Sequence, residues 1–227
     1  MHCFGCDTDS EGESLTCEVC GKPLATDADR YFKAGMEALA AGDVNRSISF
    51  LRDCVKLEPN HLSGRYNLGL ALCLVGACDE ATEQYTAVIE QQPDFPGIYT
   101  ALGQAAFGSY LSHLEHAESN RYAMIELLMR AIEQDPEDVD AYFSLGNAYI
   151  AIGTADKALP WLKCAMKLHP DSAAIYFVVA KAFKMLERYP EATLMARRSV
   201  ELSDPNDPFL EDVQNLLSEL QAAALAS

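Results

Sequence analysis

Residues 139–170, VDAYFSLGNAYIAIGTADKALPWLKCAMKLHP, set large apolar and small residues at helical spacing in two runs parted by a turn. Counting from Val139, Tyr142, Leu145, Gly146 and Tyr149 stand at positions 4, 7, 8 and 11, and Ala158, Leu162, Ala165 and Pro170 at 20, 24, 27 and 32. The pattern predicts two antiparallel helices. Small Gly146 and Ala158 let them approach, the large residues fill the seam, and Pro170 ends the second helix. The pattern recurs along most of the chain. The step from Pro59 to Pro93 equals the step from Pro136 to Pro170, but the step from Pro93 to Pro136 is nine longer, so nine residues are inserted within one unit.

This spacing resembles that of the tetratricopeptide repeat (TPR), a helix–turn–helix unit. The resemblance covers about nine-tenths of the chain and implies an all-α TPR α-solenoid. Five helix pairs are expected at 28–61, 62–95, 96–138 (with the insertion), 139–172 and 173–206, and five exceed the roughly three such stacks need. Asp207-Pro208 offers an N-cap and a helix-starting proline. After it Phe209, Leu210, Val213, Leu216, Leu217, Leu220 and Ala224 share one face, so 207–227 reads as a capping helix. Eleven helices follow, with no strand outside the segment 1–25. Three departures stand out. Arg65 replaces an aromatic in the second unit, Asp204 takes the proline position of the fifth, and Pro160 predicts a late start or a kink in its helix. In the insertion His113 and His116 share a helical face, but no further ligand closes a metal set. Longer helices, with Ser119 or Asn120 capping the second, are the simpler expectation.

The segment 1–25 follows a different logic. Cys3, Cys6, Cys17 and Cys20 form two C-x-x-C pairs, each able to bring two thiolates to one metal from a tight turn. The segment resembles a zinc-ribbon or rubredoxin-like knuckle, CEVCGKPL being the closer half and Asp7 replacing the usual glycine in the other. Zinc in a closed, structural four-cysteine site is expected, with iron as the alternative metal. The other four cysteines, Cys54, Cys73, Cys78 and Cys164, read as isolated packing or surface residues.

Charge narrows the partners. The formal net charge is −17, and between Met1 and Arg30 seven acids face two bases, so phosphate backbones and anionic membranes are repelled. No run approaches the ~18 apolar residues of a spanning helix, and the start lacks the build of a signal peptide. A cytoplasmic protein is expected, with neither nucleic acid nor membrane insertion. No nucleophile–base–acid set or phosphate-cradling glycine loop occurs, so an enzyme is not expected.

The resemblance instead implies a groove lined by the first helices, which in this family binds partner peptides or helices. The corresponding residues are Phe32, Met36, Tyr66, Asn67, Leu70, Gln104, Phe143, Asn147, Phe177, Lys181 and Lys184. Phe32 and Met36 stand where members that clamp acidic chaperone tails carry lysine and asparagine, so that specificity is not expected. The expected function is a non-enzymatic protein-binding scaffold stapled by zinc. A redox- or metal-responsive adaptor, or a subunit of an assembly or secretion system, are the alternatives.

Overall fold

The computed structural model describes residues 2–3, 8–9, 19, 27–112, 117–204 and 209–226. They fall into two compact units, Met1–Glu115 and His116–Ser227.

In the first unit a two-residue antiparallel pairing joins β1 (His2–Cys3) to β2 (Thr8–Asp9). Five helices follow: α1 (Ala28–Ala40), α2 (Val44–Leu57), α3 (Leu62–Leu74), α4 (Cys78–Gln91) and α5 (Ile98–Ser112). Each helix packs on the next. In addition α1 touches α3 and α3 touches α5, so the first helix of each pair belongs to one layer. β1 lies against α2, a helix of the other layer.

The seams show why small residues recur. A Cβ on Gly35 would stand 2.7 Å from Leu51 Cγ, and one on Gly69 would stand 2.5 Å from Tyr85 Cε1. Glycine at these points lets α1 and α3 sit directly on the large side chains of α2 and α4. Tyr31, Leu51, Leu68, Leu72, Tyr85 and Val88 are thereby withdrawn from water.

The second unit contains α6 (Ala117–Gln134), α7 (Val139–Ala151), α8 (Ala155–Leu168), α9 (Ala173–Met185), α10 (Tyr189–Leu202) and α11 (Leu210–Ala226). Its core runs through Ala158, Leu162, Ala165, Val179, Ala180, Ala192 and Ala196. α11 closes it with Val213, Leu216 and Leu220, all buried, as its apolar stripe implies. The described residues thus form eleven helices, and their only strands are β1 and β2.

Turns between paired helices are reused. Gly42, Gly76 and Gly153, each the fifteenth residue of its unit, all have φ of 80°. In the last pair that position is Glu187, with φ of 58°, a left-handed conformation that costs a non-glycine residue roughly 1 kcal/mol or more.

Two sequence expectations are corrected. Of the late start or kink expected at Pro160, the late start does not occur: α8 begins in register at Ala155 and carries the proline within it. The N–H that proline lacks would have bonded the carbonyl of Asp156, an exposed residue whose oxygen water can serve. Ser119 and Asn120 are not caps, because α6 already begins at Ala117 and holds both in its first turn, where backbone N–H groups have no intrahelical acceptor. The inserted residues mainly prolong helices. By the repeat register α5 continues four residues further and α6 starts four earlier. His113 and His116 lie outside the described residues, as do the expected cap at Asp207-Pro208 and Cys6, Cys17 and Cys20, three of the four cysteines expected to bind metal.

Candidate functional site

In the first unit the candidate residues sit on α1, α3 and α5. Phe32, Met36, Tyr66, Asn67 and Leu70 are all half-buried, and Gln104 is exposed. The Phe32 ring meets the His61 imidazole at 5.0 Å. That histidine caps α3 by accepting from Gly64 N–H at 2.8 Å, with Nε2 3.3 Å from Asp29. Tyr66 packs between Tyr85 and Phe95, at 5.8 and 5.2 Å between ring centroids. The Asn67 amide donates to the Ser63 carbonyl of its own helix at 2.8 Å. Phe32 and Tyr66 therefore share their rings with neighbours in the chain and present only part of their surface.

In the second unit the residues sit on α7 and α9. Phe143, half-buried, lines a pocket of about 270 Å³ with Val139, Asp140, His169, Ser172 and Ile175. Asn147 stands one turn further along α7, also half-buried. Phe177 meets Phe209 edge-on at 4.7 Å, and the Lys181 ammonium stands 5.3 Å from the Phe177 ring centre. A second pocket, of about 540 Å³, opens between α9 and α11, floored by Phe177 and Leu216 and edged by Lys181, Lys184, Asp212 and Glu219. Lys184 forms an ion pair with Glu219. Among the described residues Lys181 forms no ion pair, and its ammonium is stabilised by the aromatic ring instead.

Sequence reasoning missed two features. The Lys184–Glu219 pair joins residues 35 apart, on helices whose faces could not be matched from periodicity. Cys73 and Cys78, read as isolated, are neighbours: Cys78 helps to raise the Cys73 thiol across the α3–α4 turn. Of the four proposed metal ligands, only Cys3 has a described backbone, in β1. Among the described residues no three histidine, cysteine or acidic side chains converge as a metal set. No described helix is long and apolar enough to cross a membrane.

The geometry defines a class first: antiparallel helix pairs stacked through glycine- and alanine-lined seams, their first helices sharing a layer. Family models then specify it, since tetratricopeptide-repeat models match residues 28–61 and 127–159. Over those two segments the chain matches the tetratricopeptide repeat. Solved structures share the fold. TTC0263, a thermophilic TPR protein of Thermus thermophilus, superposes with a TM-score of 0.69 at 21% identity, over 88% of this chain and 100% of that one. MamA of Desulfovibrio magneticus RS-1 gives 0.66 at 18% identity, over 81% and 99%. YrrB, a TPR protein with an unusual peptide-binding site, gives 0.58 at 17% identity, over 84% and 93%. Among curated proteins, Superkiller complex protein 3 of Mus musculus is 28% identical over 75% of this chain, and Anaphase-promoting complex subunit 3 of Schizosaccharomyces pombe 23% identical over 70%. The match spans only 10% and 22% of those two proteins.

Proposed function

We propose that this chain is a non-enzymatic interaction scaffold whose first-helix layer captures a peptide or helix of a partner protein. The observation that carries this reading is Phe143. Its aromatic ring packs on the core of the second unit yet stays partly exposed where it lines a pocket, whereas Leu145 and Leu162 in the seam are fully buried. A binding module gains most from such an anchor, because burying a rigid aromatic costs little side-chain entropy. YrrB, of the same fold, has a peptide-binding site. Crosslinked pull-down from native extract identifies the partner. Phe143→Ala should then weaken capture by ten-fold or more, in line with the ~2 kcal/mol typical of a truncated anchor, and barely move Tm. A Tm lowered by several degrees with capture unchanged makes Phe143 a core residue and removes the reading.

The same proposal includes a structural metal at the amino terminus. Cys3, Cys6, Cys17 and Cys20 would hold one zinc, or iron, as four thiolates that leave no open coordination position. The support is their C-x-x-C spacing. Metal analysis of the purified chain should give about one metal per molecule, lost in Cys17→Ser/Cys20→Ser while helical circular dichroism persists. Metal retained by that variant moves the site elsewhere. A metal-responsive adaptor requires more: chelation must also change partner capture.

A further inference from the structure

Cys73 and Cys78 flank the turn from 75 to 77 that joins α3 to α4. Helix geometry aims both into the seam of this pair. Cys73 lies one turn beyond Gly69, the point at which the Tyr85 ring presses on α3. Cys78 lies two turns before Tyr85 on α4, and its sulfur presses on Gly108 of α5. The Tyr85 hydroxyl, buried beside them, has no hydrogen-bond partner of acceptable geometry. Burial, and then the adjacent Cys78, push the Cys73 thiol up to about 11. Two half-buried thiols thus meet at one turn.

We propose that Cys73 and Cys78 are a modification site, a dithiol that hydrogen peroxide converts to a reversible disulfide. The Cys78 sulfur, as thiolate, attacks one peroxide oxygen. The O–O bond breaks, the departing hydroxide takes up the thiol proton as water, and Cys78 becomes a sulfenic acid. The Cys73 sulfur then attacks Cys78 sulfur. The S–O bond breaks as the S–S bond forms, and the leaving hydroxyl carries off the Cys73 proton as a second water. Two thiols lose two electrons and the peroxide gains them. Cys73 acts second because its half-buried thiol, raised by desolvation and by Cys78, is the weaker source of thiolate for the first attack on peroxide. The bond ties the last turn of α3 to the first residue of α4. It also commits a sulfur that otherwise sits with the Tyr85 hydroxyl, next to the Tyr66 ring of the proposed binding layer. This site is separate from the amino-terminal cysteines and does not depend on the scaffold reading.

The full-length chain is exposed to hydrogen peroxide, its remaining thiols are alkylated, and it is digested with trypsin. No lysine or arginine lies between Arg65 and Arg121, so Cys73 and Cys78 fall in one peptide that contains no other cysteine. That peptide should emerge two hydrogens lighter and unalkylated, before Cys164 is lost, and dithiothreitol should restore both alkylation sites. Cys73→Ser should leave an oxyacid at Cys78 and no bridge, with helical circular dichroism reporting that the variant is folded. Both thiols still alkylated once Cys164 is oxidised would overturn the proposal. So would a bridge from either to another cysteine, or a sulfinic acid at Cys78 of the unaltered chain with Cys73 free.

Discussion

Tyr85→Ala should destabilise the first unit by about 3–5 kcal/mol, the range for truncating a buried aromatic side chain. The ring is fully buried. It fills the seam above Gly69 and supports Tyr66 at 5.8 Å, and helices fixed by their own packing cannot collapse into the space it leaves. Repeat stacks are held chiefly by nearest-neighbour contacts, so the loss should be local. Hydrogen exchange should show α3 and α4 amides losing protection while those of α9 and α10 keep it. The hydroxyl is a separate matter. Its ionisation is suppressed, first by burial and then by Cys73 and Tyr66, and it lacks a good hydrogen bond. An unsatisfied buried hydroxyl costs about 1–3 kcal/mol, so Tyr85→Phe should be neutral or stabilising. A clear destabilisation by phenylalanine would mean that the hydroxyl is bonded after all, with Cys73 the nearest candidate.

Gly146→Val should cost about 3 kcal/mol, the upper end of overpacking, by driving α7 off α8. A Cβ at Gly146 would stand 2.5 Å from Leu162 Cγ, and Leu162 is itself fully buried among Ala158, Ala165 and Val179. The leucine therefore has nowhere to turn. Leu162→Ala alone should cost about 2–5 kcal/mol by leaving a cavity. Together the two changes should cost less than their sum by roughly 1–3 kcal/mol, because the valine methyls enter the space the leucine vacates. Urea unfolding of the four proteins closes the cycle. Strict additivity would show that the two positions do not meet, and the seam assignment would be lost.

Much of this architecture is written in a single spacing. Gly35, Gly69 and Gly146 stand at the eighth position of their units because each helix pair must solve the same close-packing problem. The turn glycines Gly42, Gly76 and Gly153 recur for a different reason, a left-handed backbone in open space, and with the seam glycines they let the helix count and the buried faces be read without coordinates. The candidate anchors were legible by position only. Periodicity places Phe143 and Tyr66 alike on a first helix, whereas their exposure depends on what adjoins them. Phe143 borders an open pocket, and Tyr66 is held between Tyr85 and Phe95.

The residue pattern alone settled the class of fold, since the hydrophobic period dictates which face of each helix must leave water. It could not settle how nine extra residues divide between α5, α6 and their connector. Helix ends depend on caps and neighbours as well as on period. Nor could it pair Lys184 with Glu219, or set Cys73 beside Cys78. The first meeting joins α9 to α11 past the intervening α10, and the second spans the turn from α3 to α4; a period defined along one axis carries no information about what waits on another helix.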